Sequence, residues 1–453
     1  MLFRSRRLRM KAMHNKVRFA WLFFIFLFFS LVSPGFIARS FSMNELITER
    51  DGNLLDYYLF TVGLGQGVES RYGHSIIRVA HKNHQEAHHI NWGIFDFSDP
   101  MLPLNFFLGK LRYWAGDETY EHVYSRYRFY EKRSLVANKF NLTKRQKERF
   151  RELINLNLQG ANRFFWYQYF YKNCATIPRD HLDTVLNGAL KKFFAQKSAS
   201  LKFRDYVRIN LNRPPPVGFF LDIVMNSRLD QPMSQWEEMF YPPKLQEYLQ
   251  DFPALDDFSR ERPGQKLLSK PQELLSYKDV PSDSWHMQPL YLALGLLAIA
   301  SFVLLLTQMG ESRVWHWKLK LGLYFNAAIL CFWSLFSGLV GLVMLLSWVF
   351  SEHLDLHHNA NLWLFWPSDF IFAFFSISLL KQKKIWKKKD SFASICSALA
   401  TFHLCVIPFW ILLCLSGMIE QNCNLVMLYC APVTVGYCTI IRNYVHKRRQ
   451  FGI

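Results

Sequence analysis

Apolar residues along this chain follow two patterns. Six stretches, at about 19–38, 287–309, 321–350, 362–380, 392–419 and 424–441, are almost continuously apolar and nearly free of charge. A helix rising 1.5 Å per residue needs roughly 20 residues to cross the hydrocarbon of a bilayer, so each of these stretches is predicted to span a membrane. Between the first and second, residues 39–285 have the mixed pattern of a folded soluble domain. Residues 56–65 (DYYLFTVGLG) predict a strand running into a glycine-rich loop, and Ser75–Ala80 and residues 89–97 predict two more, giving a small antiparallel sheet. Residues 143–158 place Phe150, Leu153, Ile154 and Leu158 on one face behind Thr143, a candidate cap, and predict a helix. Helical spacing returns after residue 174 through His181, Leu182, Val185 and Leu186. Residues 199–285 read as further helices and proline-rich connections without evident chemistry, a wall or collar between the first part of the domain and the bilayer.

Charge orients these segments. Outside residues 39–285 there are 20 lysines and arginines: seven in 1–18, three in 311–320, six in 381–389 and four in 442–449. The loops 351–361 and 417–423 have none. Because basic residues are retained on the cytoplasmic side of short loops, the chain starts inside, and the domain 39–285 shares the outer compartment with 351–361 and 417–423. Phe36 and Pro34 stand where a cleavage site needs small residues, so 19–38 reads as a retained signal anchor behind a cytoplasmic basic leader, 1–18. The formal charge of +19 is thus mostly a topology signal. Residues 39–285 hold 34 basic against 29 acidic residues, which gives no reason to invoke nucleic acid.

Seven of the eight cysteines lie in or beside the C-terminal spans, and the exported domain holds only Cys174. Exported folds generally pair their cysteines or avoid them, so a single one is a reactive thiol or an inert buried residue. Cys174 stands just before a predicted helix, where free amide N–H groups and the positive end of the dipole favour thiolate and offer donors to an oxyanion. A thiol nucleophile needs a base, most often histidine. His74, in Tyr72-Gly73-His74-Ser75 at the start of a strand, is the leading candidate. His81, His84, His88 and His89 cluster around a hairpin tip and fit a solvated turn or a metal site, though without cysteine or regular ligand spacing. His181 lies nearly two helical turns beyond Cys174 and points elsewhere.

Three pieces, Tyr72-Gly73-His74-Ser75, then the run from Asn91-Trp92-Gly93 to Phe97, then the aromatic run closing in Asn173-Cys174-Ala175-Thr176, resemble the Lnb-type periplasmic domain over roughly residues 50–190. The C-terminal spans, notably the loop 353–361 (HLDLHHNAN), resemble the membrane half of full-length Lnb proteins. The resemblance implies an α+β exported domain with a permuted papain-like (NlpC-type) thiol-enzyme fold, histidine preceding cysteine, joined to an α-helical multi-span membrane domain. The resulting divisions are a catalytic domain at 39–198, a helical extension at 199–285 and five transmembrane helices in 286–453. The implied activity is transfer of a fatty-acyl chain, through a cysteine thioester, to the α-amino group of the lipid-modified N-terminal cysteine of a bacterial lipoprotein. Cys174 would be the nucleophile and His74 its base. Asn91 or Asp96 would orient the imidazole, or be hairpin polar groups satisfied by backbone, and Tyr72 and Asn173 join them as candidate orienting or oxyanion groups.

His353, His357, His358, Asn359 and Asn361 lie on the same side as Cys174 and are candidates for substrate contact or an ordinary polar loop. No cofactor or metal is expected. The implied partners are a phospholipid or lipoprotein acyl donor and a lipoprotein acceptor, at the bacterial inner membrane with the domain in the periplasm. Two other classes stay open: a membrane-anchored cysteine peptidase or amidase, which has little use for five C-terminal spans, and a non-catalytic assembly factor.

Overall fold

A computed structural model describes residues 46–83, 87–96, 98–211, 215–278, 316–380 and 391–451, with residue 295. The leader, the signal anchor, the stretch 287–309 apart from residue 295, and the lysine-rich segment 381–389 lie outside the described residues.

The exported domain is built on seven strands: β1 (Leu55–Val62), β2 (His74–His81), β3 (Ala87–Ile94), β4 (Arg112–Glu118), β5 (Leu135–Lys139), β6 (Phe164–Trp166) and, beyond the hairpin β7 (Pro253–Leu255) and β8 (Glu261–Lys266), β9 (Gln272–Leu275). The large sheet has the order β6-β4-β3-β2-β1-β5-β9, with every neighbouring pair antiparallel. It is more than twice the width that the sequence pattern predicts. The residues 199–285, expected as helices and connections, also supply its last strand, β9, which pairs with β5.

Around the sheet stand α1 (Leu102–Leu108), α2 (Tyr120–Ser125), α3 (Lys144–Leu158), α4 (Thr176–Val185), α5 (Ala189–Phe194), α6 (Phe203–Asn210), α7 (Pro215–Val224), α8 (Gln235–Glu238) and α9 (Pro242–Asp251). The α3 helix starts as its sequence predicts. Thr143 accepts the N–H of Gln146, whose side chain returns to the Thr143 N–H, and Phe150, Ile154 and Leu158 are buried.

Alternation along the strands divides the sheet's two faces. Tyr57, Leu59, Ile77, Val79, Ile90, Trp92 and Ala115 pack with side chains from α3, α4, α5 and α9. Phe60, Val62, Ile76, Leu135 and Ala137 pack on the opposite face with Val123 of α2. The same parity puts His74, Asn91, Gly93 and Glu118 together on that second face, since Asn91 lies opposite Ile76 and Gly116, and His89 opposite Glu118.

In the membrane region α10 (His316–Phe350), α12 (Ser391–Leu415), and α13 (Asn424–Tyr429) continued by α14 (Ala431–Phe451) contain three segments long and apolar enough to cross a bilayer. The stretch 362–380 is not one straight span. Its helical part, α11 (Phe370–Leu380), follows a chain of 3-10 turns, and the two parts meet at a bend of 53°. The break falls at residues 364–366, just before the 3-10 turn Pro367–Asp369, where proline removes a donor and the buried Asp369 carboxylate bonds His403 at 2.8 Å and also pairs with Ser337.

Polar bonds tie the two regions together. The Asn226 side chain donates to the carbonyls of Leu354 and His357, and its N–H to that of Asp355. Asn359 and Asn361 both donate to the carbonyl of Ile223 at the end of α7. The segment 222–230 is itself held by Arg204, only 1% exposed, which bonds Asp222, Asp230 and the carbonyls of Met225 and Asn226. Removing one partner of a buried ion group leaves the others uncompensated, at about 3–5 kcal/mol. Arg204→Ala is therefore expected to lower the thermal unfolding midpoint of the detergent-solubilised protein far more than Arg145→Ala on the exposed side of α3, and equal midpoints would remove this role.

Candidate active site

Cys174 ends the aromatic run and immediately precedes α4. Its turn is shaped by Asn173, whose side-chain oxygen accepts the N–H groups of Ala175 and Thr176 at 2.8 and 2.9 Å, while its amide donates to the carbonyls of Tyr169 and Phe240. Both amide hydrogens are thus committed inside the protein, which makes Asn173 the clamp of the cysteine turn and leaves it no donor for a substrate oxygen.

The thiol is 8% exposed and accepts the N–H of Ser75, the residue after His74. Strand β2 therefore brings the histidine's backbone beside the sulfur. Burial pushes the Cys174 thiol up to about 11, against the Ser75 N–H, the charge of Arg133 and its own N–H. The helix-terminus expectation of a ready thiolate does not hold. A terminal dipole contributes about 0.3–1 kcal/mol, less than taking a charge out of water costs.

The imidazole is held by a hydrogen-bonded series. His74 Nε2 lies 2.8 Å from Asn91 Oδ1, which also accepts the N–H of Gly93 at 2.8 Å. Asn91 Nδ2 donates to Glu118 at 2.8 Å. Glu118 in turn is paired with Arg126, with His122 at 3.5 Å. The Glu118 bond fixes which end of the Asn91 amide faces the ring, so Nε2 must carry the proton and Nδ1 is left as the basic nitrogen. Burial, then the charge of Arg133, lowers the imidazole to about 4, opposed by the Asn91 bond and the charge of Glu118. Burial works to raise the Glu118 carboxyl, but the charge of Arg126 and the bonds from Asn91 and Arg126 hold it below its ordinary value.

Two glycines in the sequence motifs have steric causes here. Gly73 has φ +79°, and a Cβ there would stand 2.8 Å from the carbonyl oxygen of Val62. At Gly93 a Cβ would lie 2.4 Å from Cε1 of His74, so the imidazole occupies the space a side chain would take. Trp92 between Asn91 and Gly93 points to the other face, is fully buried and donates to Asn157 at 3.0 Å.

Of the other candidates, Asp96 accepts the N–H and hydroxyl of Ser98 and is exposed. Tyr72 is buried edge-on against Tyr169, with ring centroids 4.7 Å apart. Tyr113 and Tyr167 stack at 4.2 Å and lie within electrostatic reach of Cys174, so the sulfur faces an aromatic wall. His181 packs on Trp92, His81 pairs with Glu49, and His88 with Asp117. His84 lies outside the described residues, and among the described residues no group of three or more His, Cys, Asp or Glu is arranged to hold a metal.

In the membrane loop, His353 bonds the carbonyl of Phe106 and His357 that of Ser351, Asn359 and Asn361 are buried at the docking surface, and His358 stays exposed beside the Trp348 ring. Asp355 reaches the cysteine turn itself, accepting from Tyr171 at 3.2 Å and pairing with Arg228 at 3.3 Å. Glu118, Arg126 and Arg133 are not legible as site residues, because only strand register and the folded chain bring their charges to the imidazole.

Two family models match the chain: the Lnb N-terminal periplasmic domain over residues 45–207, and the Lnb transmembrane domain over 282–431. Together they span about two thirds of it. No curated protein and no solved structure gives a significant match.

With the thiol at about 11 and the imidazole at about 4, both groups are neutral at pH 7. Alkylation of Cys174 by iodoacetamide, followed on its own peptide by mass spectrometry, is expected to accelerate about tenfold per pH unit from pH 7 to 10 as the thiolate fraction grows. A rate already level at pH 7 would mean a preformed ion pair. Gly93→Ala should displace the His74 ring and lower turnover by about a hundredfold, while the protein still inserts and folds. Undiminished turnover would show that the ring's seat is not needed.

Proposed function

The chain belongs to the Lnb family, with both its periplasmic and its transmembrane domain, and the family's activity is lipoprotein N-acylation; we propose that this protein performs it by acyl transfer through Cys174. As substrate approaches, the Cys174 proton passes to Nδ1 of His74 while Sγ attacks the carbonyl carbon of a fatty-acyl ester. The tetrahedral intermediate collapses, the ester C–O bond breaks, and the imidazolium returns the proton to the departing alkoxide. The acyl group is then held as a thioester. The neutral α-amine of a lipoprotein's terminal cysteine attacks that thioester, His74 takes the amine's proton, and sulfur leaves as thiolate to recover it. Asn91 keeps Nε2–H pointed away, so Nδ1 faces the reaction in both halves, and Glu118 stabilises the imidazolium at a distance.

The observation that carries this reading is the direct bond between the cysteine turn and the membrane loop, Tyr171 to Asp355 at 3.2 Å. A thiol fixed to the outer end of the spans meets acyl chains that never have to leave the bilayer. Docking at this height also gives the multi-span region a use that a tether would not have. Residues 39–198 act as the catalytic unit, folded as a papain-like thiol enzyme, and 199–285 as the part that seats it on the five-span region 286–453. His358, exposed at the loop, is the group there best placed to meet a headgroup, while His353, His357, Asn359 and Asn361 hold the loop's shape. The protein works in the bacterial inner membrane, with a phospholipid or lipoprotein as donor and a lipoprotein as acceptor.

Mass spectrometry of lipoprotein N-terminal peptides tests this. Deleting the gene in a strain without another N-acylating enzyme should leave free amino termini, restored by the wild-type chain and not by Cys174→Ala present in the membrane at the same level. N-acylation restored by Cys174→Ala would overturn the proposal, and release of free fatty acid without N-acylation would make the enzyme a hydrolase.

A further inference from the structure

The short helix α1 lies on the chain between β3, which carries Asn91 and Gly93, and β4, which carries Glu118. The carbonyls of its last three residues meet the residues that follow α10. Glu352 donates its N–H to Leu108, Ser351 its hydroxyl to Phe107, and His353 bonds Phe106. Lys110 pairs with Glu352 at 3.7 Å. Gly109, at φ +73°, permits this approach, since a Cβ there would lie 3.0 Å from the N atom of His353. The helix is therefore fixed at the outer mouth of a membrane span.

Its exposed side chains are nevertheless apolar: Met101 just before it, and Leu104 and Phe106 on it, at 46% and 48% exposure. At 3.6 residues per turn Leu104 and Phe106 stand roughly 200° apart, so apolar chains project from opposite flanks. A helix covering only its own domain's core would show one apolar stripe with a polar outer face. The last turn of α10 adjoins it, exposing Trp348, Val349 at 65% and Phe350 at 60%, as the lipid-facing end of a span must. The apolar end of the span and the apolar side chains of α1 thus lie on either side of the exposed Lys110–Glu352 pair, at the same end of the spans.

We infer that α1 is immersed in the outer leaflet, and that its partner is the boundary between lipid headgroups and acyl chains. Bilayer lipids cover Leu104 and Phe106, hold the β3–β4 connection at the membrane surface, and so fix the height of the imidazole-bearing face of the sheet above the acyl chains. This contact is independent of the acyl-transfer reading, because it concerns where the domain sits and not what Cys174 does.

The test uses the full chain in nanodiscs of phosphatidylethanolamine and phosphatidylglycerol carrying an alkyne-tagged phospholipid, with the photo-crosslinker p-benzoylphenylalanine placed singly at 104, 106 or 258. Phe258, 76% exposed in the β7–β8 hairpin, is the control for an apolar side chain away from the spans. Lipid capture at 104 and 106 should exceed that at 258 at least about fivefold, as expected for side chains within the interface. Capture at 104 and 106 no higher than at 258, or capture mainly of protein, would overturn the inference. A catalytically dead Cys174→Ala chain should give the same crosslinks, so the result stands apart from the outcome for acyl transfer.

Discussion

The amide of Asn91 is the joint on which the candidate site depends. One end receives the imidazole of His74 and the N–H of Gly93, and the other donates to a carboxylate that Arg126 keeps ionised. An amide cannot be turned over here without setting its NH2 against the Gly93 N–H and its oxygen against Glu118. The direction of every hydrogen bond in the series, and with it the basic nitrogen of His74, therefore follows from one side chain. Sheet parity makes this possible, because His74, Asn91 and Glu118 come from three adjacent strands and project from one face.

Height above the membrane is set by a second group of polar contacts, and it governs what the thiol can reach. Asp355 links the membrane loop to Tyr171, three residues before Cys174, while Arg204 fixes the segment whose Asn226 grips the same loop. These contacts couple the cysteine turn to the outer end of the spans. Asn359 and Asn361 belong to the same framework, each donating to Ile223. A cluster of polar residues at a membrane face thus serves two ends at once, building the joint and leaving His358 exposed.

What could be read from the chain and what could not divide along physical lines. The Thr143 helix and the first three strands were legible because each has a local signature: a capping residue ahead of a 3.6-residue period, or a dense aromatic and β-branched run. Two of the three pieces that carry the Lnb resemblance, Tyr72-Gly73-His74-Ser75 and Asn91-Trp92-Gly93, have steric reasons in the structure: a positive φ at Gly73, a ring in the place of a side chain at Gly93. Strands β4, β6 and β9 were hidden. Arg112–Glu118 is charged at both ends, and Phe164–Trp166 and Gln272–Leu275 are only three and four residues long, so pairing partners decide their state. Glu118 was invisible as a site residue for the same reason, since only the register of β3 and β4 brings it to Asn91. The bend in 362–380 had a signal, Pro367 and Asp369 inside an apolar run, that hydropathy alone averages away.

Burial of both Cys174 and His74 changes how the proposed nucleophile must be understood. A thiol standing at about 11 and an imidazole at about 4 are both uncharged at rest, and transfer of a proton between them is uphill until something stabilises the result. In the proposed transfer that stabilisation comes from the Glu118 carboxylate already behind the imidazolium and from the charge that develops on the attacked carbonyl oxygen as substrate enters. Such a pair is protected from stray electrophiles and oxidants in an exposed compartment, where a standing thiolate would be attacked. The cost is a slower intrinsic nucleophile, which the proposed transfer would offset by having both substrates concentrated in the same leaflet. Low dielectric around the sulfur, the aromatic wall of Tyr113 and Tyr167, and the bond from the cysteine turn to the membrane loop are then one arrangement: in the proposed transfer each would exclude water from a thioester that must wait for an amine.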